Sequence, residues 1–405
     1  MSKTVSPRAN IEGVAYIITS LAMGGAQKVL LGLLDSQQLK AKPPLVISLL
    51  KTEGLQAAFA SAGTEVFYVE LEKPQLFLKK IIQLRRLIAE RQIRVIYSFL
   101  HHANLFALFI ASLSQKPRPL VIWGLHDTPL KNLYTRWQHR LLFWLTVRLA
   151  PIPRKIILVS ERSRKRYVEV GYPADTMQLI PNGVLVKPLD PDQTEADRQA
   201  LRAELGLSSA AVVLGSLTRA VPEKDLPLML DAFAQLVAQQ DAYLVLVGEG
   251  VDLQNTALQA QITSLCLQDR VYTLGIRQDA PRLIRAFDIA TLSSRSEALP
   301  LFLVEAMALG IPCVATDVGD VGLVLGGQGE LVAAGDSQAL AVAWKRVLNY
   351  SVAEKQMNIQ TAWQHIQANF SVERMQQQHL AVFAEVLQSC EANQAWNMRI
   401  HHKRC

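Results

Sequence analysis

The sequence predicts an α/β protein made of two doubly wound halves, each with a parallel sheet covered by helices on both faces. Three observations support this fold class. Short and almost continuously apolar runs alternate with amphipathic helical patterns, as they do in βαβ units. The alternation stops near residue 190 and then starts again. The chain also has 405 residues, which is too long for one ordinary core.

The first half begins with VAYIITSL from Val14, a short apolar run that is followed by glycines and is therefore predicted as a buried strand. A helix is predicted for AQKVLLGLLDS, which follows it. Further strands are predicted for LVISLL, EVFYVEL, RVIYSFL, LVIWGLH and KIILVS. Helical patterns such as LFLKKIIQLRRLIAERQ lie between them, so the half is expected to form one parallel sheet.

A linker is predicted at IPNGVLVKPLDPDQTEAD, where prolines, an asparagine and a glycine interrupt the alternation. Strands then resume with AVVLGSL, AYLVLVGEG, RVYTLG, IATLSS and PCVAT. We therefore place an N-terminal domain at 1–188 and a C-terminal domain at 189–370. A Gln-rich helical segment at 371–405 is expected to pack back towards the first domain. Since ligands bind beyond the carboxyl ends of such strands, we expect the two domains to face a cleft between them.

The net charge of +7 is unevenly distributed. Met1–Leu185 holds 25 Lys and Arg against 11 Asp and Glu, a net charge of +14, and the remainder holds 17 against 24, a net charge of −7. A basic half is typical of proteins that bind nucleic acid, anionic lipid or phosphorylated substrates. A merely solubilising surface explains the same excess.

Several features favour a cytoplasmic location. No apolar run reaches the length of a membrane span, and the N-terminal MSKTVSPRAN lacks the apolar core of a signal peptide. The four cysteines, Cys266, Cys313, Cys390 and Cys405, are scattered and have no metal-binding spacing, which suits a reducing compartment. The oligomeric state is left open.

Candidate anion-binding residues follow a strand in each half. Met23, Gly24 and Gly25 lie between the first strand and the first helix, where glycines let the backbone approach a ligand at a helix N-terminus. In LTRAVPEKD, Arg219 and Lys224 can hold a diphosphate from two sides. A plain turn and an exposed pair of loop charges are the structural alternatives.

His126 ends the strand LVIWGLH, at the sheet edge where active-site residues are expected, and His101 and His102 follow RVIYSFL. A structural histidine is the alternative at each of these positions. Glu297 and Glu305 lie in SSRSEALPLFLVEAMALGIP, with Pro300 suited to the first turn of a helix. Helix-dipole stabilisation would explain Glu297 but not Glu305. We expect both carboxylates to bind ligand hydroxyls and to be solvated when no ligand is bound.

Taken together, these motifs resemble glycosyltransferase family 4, whose members are retaining enzymes of the GT-B fold that use nucleotide-sugar donors. LAMGGAQKVLLGLL is similar to the family's first glycine loop, and GLHD resembles its histidine-bearing strand end. VSERSRKRYVEVGYPADTMQLIPNGV is similar to the segment that closes the first domain. The most specific likenesses are GSLTRAVPEKDLPLMLDAF, LVLVGEG and SSRSEALPLFLVEAMALGIPCVATDVGD. The resemblance covers most of the chain.

The resemblance implies a role for each matching residue. Arg219 and Lys224 would hold the donor diphosphate without a metal, Glu305 the ribose, and His126 would line the donor sugar. Glu297 would hold the donor sugar together with the backbone N–H groups from Ala298 to Leu301. The residues implied in donor binding are Gly24, Gly25, Gly275, Ala298, Leu299, Pro300, Leu301 and Glu305. No metal or other cofactor is implied.

The sequence departs from the family pattern at several positions. Gln27 stands where the family commonly has Glu. Thr218 replaces the Gly that usually precedes Arg219, and Asp225 replaces the Gly or Asn that usually follows Lys224. Ala298 and Leu299 replace Gly-Phe or Gly-Leu after the first Glu, so the donor sugar stays open.

The resemblance implies transfer of a sugar from a UDP-sugar, in preference to a GDP-sugar, to an acceptor hydroxyl. We expect a glycan or lipid-linked acceptor in surface polysaccharide or glycolipid synthesis. A glycosyltransferase with a soluble acceptor, a sugar-nucleotide epimerase and a glycosyl phosphorylase on the same fold are alternatives. A non-enzymatic nucleotide or nucleic-acid binding protein is disfavoured because RNA-binding signatures are missing, so no nucleic-acid partner is expected.

The acceptor side is predicted from two basic segments of the first half. The segment from Leu76 places Phe77, Ile81, Leu84 and Ile88 on one helical face, with Lys and Arg elsewhere, and Arg136–Lys155 mixes Trp and Phe with cations. Such segments can lie on an anionic membrane surface, so we expect a protein peripheral to the inner face of the membrane. A core-facing helix with a solvated basic face is the alternative.

Overall fold

The computed structural model describes residues 13–22, 24–34, 43–127 and 137–402, with side chains described as far as 389. The described residues up to Gly183, with the helix from Val372, form one compact unit, and Val184–Ser371 form the other. No helix of these described ranges combines the length and the apolar composition that a membrane span needs. The predicted N-terminal stretch, Met23, Arg136 and Cys405 lie outside the described residues, as does the side chain of Cys390.

The first unit is built on a seven-stranded sheet with the order β3-β2-β1-β4-β5-β6-β7. Its strands are Val14–Ile18 (β1), Leu45–Ser48 (β2), Glu65–Tyr68 (β3), Val95–Phe99 (β4), Leu120–Leu125 (β5), Lys155–Leu158 (β6) and Met177–Leu179 (β7). Every pairing between these strands is parallel. The buried runs therefore form the sheet that their apolar composition predicts. Of these seven strands only β7 was not predicted, because its three partly exposed residues give no strand pattern.

The helices of this unit up to Gly183 follow its strands in the expected alternation. They are Gly25–Leu34 (α1), Gln56–Ser61 (α2), Phe77–Glu90 (α3), His101–Leu113 (α4), Trp137–Leu149 (α5) and Glu161–Glu169 (α6). Helix α4 packs between α3 and α5. The inner faces of α3 and α4 join one core cluster with strands β1 and β4 through Ile81, Leu84, Ile88, Phe106 and Ile110, and α5 packs against this cluster.

The second unit repeats the architecture with a six-stranded parallel sheet of order β10-β9-β8-β11-β12-β13. Its strands are Val212–Leu217 (β8), Ala242–Val247 (β9), Val271–Thr273 (β10), Ile289–Leu292 (β11), Cys313–Thr316 (β12) and Glu330–Val332 (β13). Its helices are Pro191–Glu204 (α7), Leu226–Val237 (α8), Thr256–Ser264 (α9), Ala280–Arg285 (α10), Leu301–Ala308 (α11), Val321–Leu325 (α12), Ser337–Leu348 (α13) and Val352–Phe370 (α14). The predicted fold class of two doubly wound halves is confirmed.

The last helix, Val372–His402 (α15), packs on the first unit against α1 and β4. Its buried His379 donates from Nδ1 to the Met375 carbonyl at 2.9 Å, so its Nε2 accepts from the Tyr97 hydroxyl at 3.2 Å. Burial lowers the pKa of His379 to about 4, and its ring is therefore neutral near pH 7. The His379 ring contacts the rings of Tyr97 and Phe383, and Tyr16 in turn contacts both of these.

Candidate functional site

The second sheet changes direction between its two central strands, β8 and β11, which pair in parallel. The chain leaves β8 towards β9 and leaves β11 towards β12, so the loops after these strands diverge at their carboxyl ends. Such a switch point is where open α/β sheets bind ligands. The loop after β8 carries Arg219 and Lys224, and the loop after β11 carries Glu297. Topology thus brings these three predicted residues to one edge.

Lys224 and Glu297 form an ion pair between the ammonium and carboxylate oxygen Oε1. Their side chains are only 20% and 9% exposed. The Ser294 hydroxyl donates to the same oxygen at 2.7 Å. The expectation that Glu297 is solvated without a ligand is therefore wrong, because a carboxylate so enclosed needs a cation and a donor to offset its desolvation. Oxygen Oε2 has no hydrogen-bond partner among the described residues and can accept from a ligand.

Asp225 holds the turn that presents Lys224. Its backbone lies in the left-handed region, with φ of 47°, which Asp tolerates better than most residues that carry a Cβ. Its buried carboxylate accepts from Arg295 at 2.6 and 3.0 Å. The Ser293 hydroxyl lies 2.9 Å from the carbonyl oxygens of both Lys224 and Asp225. Asp225, which replaces the family's Gly or Asn, thus preserves the backbone path. It also adds an ion pair between the loop after β8 and the loop after β11.

Arg219 is exposed, and its guanidinium makes no ion pair or hydrogen bond within the described part of the chain. Its backbone is nevertheless fixed. Thr218 N–H donates to Val247 O at 2.8 Å, and Ala220 N–H donates to Glu249 O at 2.9 Å. Gly248 permits this approach, because a Cβ there would lie 1.9 Å from Thr218 O. A rigid backbone with an unpaired guanidinium is what an anion site requires.

Gly275 belongs to the neighbouring loop after β10. Its N–H donates to Val251 O at 2.8 Å, and its carbonyl accepts from Gly248 N–H at 2.8 Å. It therefore supports the loop that in turn holds the backbone beside Arg219. The sequence predicted this residue as a ligand contact, and the structure places it one loop away from Arg219.

The residues after Glu297 lead into α11. Leu299 and Pro300 are buried, and Pro300 has no N–H, so the predicted set of N–H groups reduces to those of Ala298, Leu299 and Leu301. None of these three donates to a backbone or side-chain acceptor among the described residues. Glu305 lies half-buried one turn into α11. Free N–H groups at a helix N-terminus favour an anionic or hydroxyl-bearing ligand.

Gly319, in the loop after β12, was not predicted as a site residue. Its φ is 54°, and a Cβ there would lie 2.0 Å from Glu297 O. Asp320 N–H donates to Ala298 O at 3.1 Å. The Val-Gly-Asp sequence that follows Asp317 is the only signal of this support, and it becomes interpretable once the loops are known to touch.

The first sheet has its own switch point between β1 and β4. Gly24 follows β1 and Gly25 begins α1, as predicted. Gly24 O accepts from Lys28 N–H at 3.1 Å, and buried Gln27 donates from Nε2 to Ser20 O at 3.0 Å. Gln27, which replaces the common Glu, therefore fastens the loop instead of presenting a carboxylate.

His126 follows β5 and stacks on Phe99 with ring centroids 4.9 Å apart. Burial, together with a smaller effect of the nearby His379, lowers the pKa of His126 to about 4. Both ring nitrogens are buried and make no well-aligned hydrogen bond within the described residues. The ring is therefore neutral near pH 7 and has hydrogen-bonding capacity for a ligand.

A second cluster at this edge contains His101, Asp127 and Tyr167. His101 Nε2 lies 3.3 Å from Asp127 Oδ2, and the Tyr167 hydroxyl donates to Oδ1 at 2.7 Å. Burial raises the pKa of Asp127, but the charge and bonds of His101 with the Tyr167 bond outweigh it, and the pKa is lowered overall. Leu100, just before His101, has φ of 72° and ψ of 163°, a region almost confined to glycine. The sequence singled out His101 but not Asp127 or Tyr167.

Two family models match the chain. The model described as Glycosyltransferase Family 4 matches residues 23–186, and the model described as Glycosyl transferases group 1 matches 209–350. The chain belongs to glycosyltransferase family 4. The two matches fall on the first and second units, so the family assignment rests on both sheets.

Characterised relatives agree with this assignment. N-acetyl-alpha-D-glucosaminyl L-malate synthase of Bacillus anthracis is 31% identical over 47% of this chain and 50% of its own length. The UDP-Gal:alpha-D-GlcNAc-diphosphoundecaprenol alpha-1,3-galactosyltransferase of Escherichia coli is 24% identical over 60% of this chain and 62% of its own. The chain thus spans only about half to three fifths of these two proteins.

Solved structures confirm the GT-B fold. Anabaena HepE, crystallised in complex with UDP and glucose, has a TM-score of 0.77 at 24% identity, covering 93% of this chain and 100% of HepE. Sucrose-phosphate synthase of Thermosynechococcus elongatus has a TM-score of 0.74 at 18% identity, covering 93% and 99%. At these identities the likeness concerns the fold alone.

Proposed function

We propose that this protein is a retaining glycosyltransferase that moves a sugar from a UDP-sugar to an acceptor hydroxyl without a metal ion. The observation that carries the proposal is the cluster of Arg219, Lys224 and Glu297 at the switch point of the second sheet. Family membership supports transfer from a nucleotide sugar. The choice of UDP is supported by the complexes of HepE with UDP and with UDP-glucose.

The cluster meets the main electrostatic demand of the reaction. As the bond between the sugar carbon C1 and the phosphate oxygen breaks, negative charge builds on the diphosphate. Arg219 can bind it with a planar fork, and Lys224 supplies a point charge. Cations that are already in position cost no reorganisation at that moment. We therefore assign these two residues the charge neutralisation that a divalent metal provides in other enzymes.

Glu297 has two tasks in this proposal. Its Oε1 holds the Lys224 ammonium before the donor arrives, and two N–H bonds of that ammonium remain for phosphate oxygens. Its Oε2 accepts from a donor-sugar hydroxyl. Glu305 binds the ribose hydroxyls, and the N–H groups of Ala298, Leu299 and Leu301 complete the donor site. Glu297 is not assigned as a nucleophile.

The bond changes balance without a covalent enzyme intermediate. The acceptor oxygen forms its bond to C1 on the face that the diphosphate leaves, and the hydroxyl proton passes to the departing phosphate oxygen. Neutral His126 hydrogen-bonds the donor sugar near C1 and does not carry the proton, because its pKa of about 4 makes it a weak base. Gly24 and Gly25 bring backbone to the diphosphate.

We propose a glycan or lipid-linked acceptor in surface polysaccharide or glycolipid synthesis, at the cytoplasmic face of the membrane. The Escherichia coli relative, by its name, acts on a diphosphoundecaprenol-linked sugar. The basic first half supports an acceptor at an anionic surface.

The test is turnover of UDP-glucose, UDP-galactose, UDP-N-acetylglucosamine and GDP-mannose by the full chain, with and without a bacterial lipid extract and EDTA. We expect UDP release from one donor, stimulation by the extract, insensitivity to EDTA, and an α-linked product from an α-linked donor by NMR. Interconversion of sugar nucleotides without UDP release would instead identify an epimerase. Normal turnover in Arg219→Ala, Lys224→Ala and Glu305→Gln would refute the proposed site.

A further inference from the structure

Helix α5 has apolar side chains on both of its faces. The inner face packs on the core through Phe143, Val147 and Leu149. The outer face carries Trp137 and Trp144, which are 71% and 56% exposed. A helix that is apolar all round is normally buried on every side. Within the described part of the chain, the outer face of α5 therefore lacks the cover that its composition calls for.

The outer face is not uniformly apolar. Trp137, Arg140, Leu141, Trp144 and Arg148 follow one another at helical spacing and lie on a single stripe. All five are exposed. A stripe of indoles and leucine interleaved with arginines matches helices that lie in the boundary between lipid headgroups and acyl chains, where Trp and Arg both find suitable surroundings.

The apolar surface continues onto the neighbouring helices. Phe109 of α4 is 40% exposed and stacks on Phe77 of α3 with ring centroids 6.2 Å apart. On α3, Leu78 and Ile82 are 71% and 41% exposed. Since α4 packs between α3 and α5, these residues form one surface, which we call the aromatic face. It comprises the exposed side chains of Leu78, Ile82, Phe109, Trp137, Leu141 and Trp144.

The charges around the aromatic face are almost all positive. Helices α3, α4 and α5 together carry six Lys and Arg side chains and a single carboxylate, that of Glu90. Among the described residues, only Lys80 of the six has an ion-pair partner, Glu70. A second copy of the chain placed on this face by a two-fold axis would set like charges against each other. An anionic lipid surface satisfies both the charges and the indoles.

Part of the aromatic face also lies near the carboxyl edge of the first sheet. A helix that follows a parallel strand begins at the carboxyl edge of the sheet and runs back along it. Trp137 at the start of α5 therefore lies near the edge that holds Gly24 and His126. A membrane that binds this face holds a lipid-linked acceptor hydroxyl near the sheet edge that carries His126.

We propose that the aromatic face docks the protein on anionic phospholipid bilayers, with Trp137, Leu141 and Trp144 in the headgroup–acyl boundary and Arg140 and Arg148 on lipid phosphates. This inference rests on the proposed function for its choice of a lipid-linked acceptor. The docking itself can be measured without any turnover, and binding of UDP without vesicles reports separately on the donor site.

The test is cosedimentation of the full chain with vesicles of phosphatidylglycerol and phosphatidylcholine in equal parts, and with phosphatidylcholine alone. We expect binding to the mixed vesicles that weakens as salt is raised. Trp137→Ser/Trp144→Ser and Arg140→Glu/Arg148→Glu should each weaken it at least about tenfold. A matched control, Leu253→Ser/Met357→Ser, removes apolar side chains of 73% and 71% exposure from the second unit and should bind like the parent chain.

Depth of insertion gives an independent readout. Brominated lipids should quench part of the tryptophan fluorescence of the parent chain, and Trp137→Phe/Trp144→Phe should lower that quenching strongly, since Trp123 and Trp344 are buried and Trp363 belongs to the second unit. Equal cosedimentation of the Trp and Arg variants with the parent chain would overturn the proposal. So would a concentration-dependent dimer that Trp144→Ser dissolves, because the face would then be a protein interface. Unchanged UDP affinity in every variant confirms that the donor site is intact.

Discussion

The two sheets of this protein have the same parallel, doubly wound plan but carry different chemistry at their switch points. At the second sheet the edge carries charge: an unpaired guanidinium, and an ammonium held by a carboxylate. At the first sheet the edge carries glycines, the neutral ring of His126 and the Asp127 carboxylate, which is held by His101 and Tyr167. The difference teaches that one backbone topology can present cations on one half, and glycines, a neutral ring and a hydrogen-bonded carboxylate on the other. The proposal that the donor diphosphate binds at the second sheet rests on this difference.

The largest effect is expected from removing the ammonium of the charged edge. Lys224→Ala removes a diphosphate cation and leaves Glu297 enclosed without its partner, so kcat/KM for the donor should fall about a thousandfold or more. Lys345→Ala is the control, because this exposed lysine of the same unit bonds only to Gln239 among the described residues. Steady-state kinetics of UDP release measures both. A fall of less than tenfold in Lys224→Ala would remove the charged edge from the mechanism.

The next effect concerns the backbone behind Glu297. Gly319→Ala forces a Cβ against Glu297 O and should lower kcat/KM about a hundredfold by displacing the N–H groups that follow. Gly327→Ala is a matched control, since it also has a positive φ of 78° but open space around its Cβ position. It should cost only about 1 kcal/mol of stability and leave kinetics unchanged. Equal kinetics in the two variants would show that the contact does not position the site.

Lowering the pH should destabilise the first unit more than the second. Native His379 stays neutral down to a pKa of about 4, whereas the unfolded ring takes up a proton near its ordinary 6.5. Protons therefore favour the unfolded state, and the first unit loses stability as the pH falls through this window. The loss due to His379 between about pH 7 and pH 5 is about 2 kcal/mol.

Hydrogen exchange measures this loss in each unit separately. Amides of β1 and β4 should lose at least about thirtyfold in protection at the lower pH, after correction for intrinsic rates, because His126 of the same unit also has a pKa of about 4 and adds to the loss. Amides of β8 and β9 should change less. His379→Phe should remove about half of the pH dependence of the first unit and leave the share of His126, even though it leaves the Tyr97 hydroxyl without its acceptor. An equal loss in both units would contradict the assignment of the titrating group.

The smallest effect is expected from breaking the ion pair of Arg295 with Asp225, which joins the loops after β8 and β11. Arg295→Ala leaves the buried Asp225 carboxylate without its guanidinium and should raise the donor KM about threefold by loosening the turn that presents Lys224. Arg270→Ala breaks a more exposed pair with Asp241 and is the control. A donor KM unchanged in both variants would show that Asp225 holds its turn without help.

Much of the fold could be predicted because the central strands are apolar throughout and alternate with helical patterns. Strand β1, whose five residues are all buried, is an example. Edge strands β7 and β13 could not be predicted, because three partly exposed residues bear no period. Only the sheet order, which sequence patterns do not contain, shows that β8 and β11 are neighbours.

Candidate site residues could be predicted where the residue type itself carries a charge, as at Arg219 and Lys224. Pairing was not predictable, and Glu297 was expected to be solvated although it binds Lys224 and Ser294. Three residues were missed for the same reason. Asp127 and Gly319 contact residues distant in sequence, His101 and Glu297, and Tyr167 bonds to Asp127, which only a folded chain reveals.

The central claim is that the charged edge of the second sheet binds a nucleoside diphosphate. Isothermal titration of UDP and of uridine into the parent chain and Arg219→Ala tests it most directly, because uridine lacks the phosphates. We predict that Arg219→Ala weakens UDP binding by at least about tenfold and leaves uridine binding unchanged. Equal affinity of both proteins for UDP would contradict the claim.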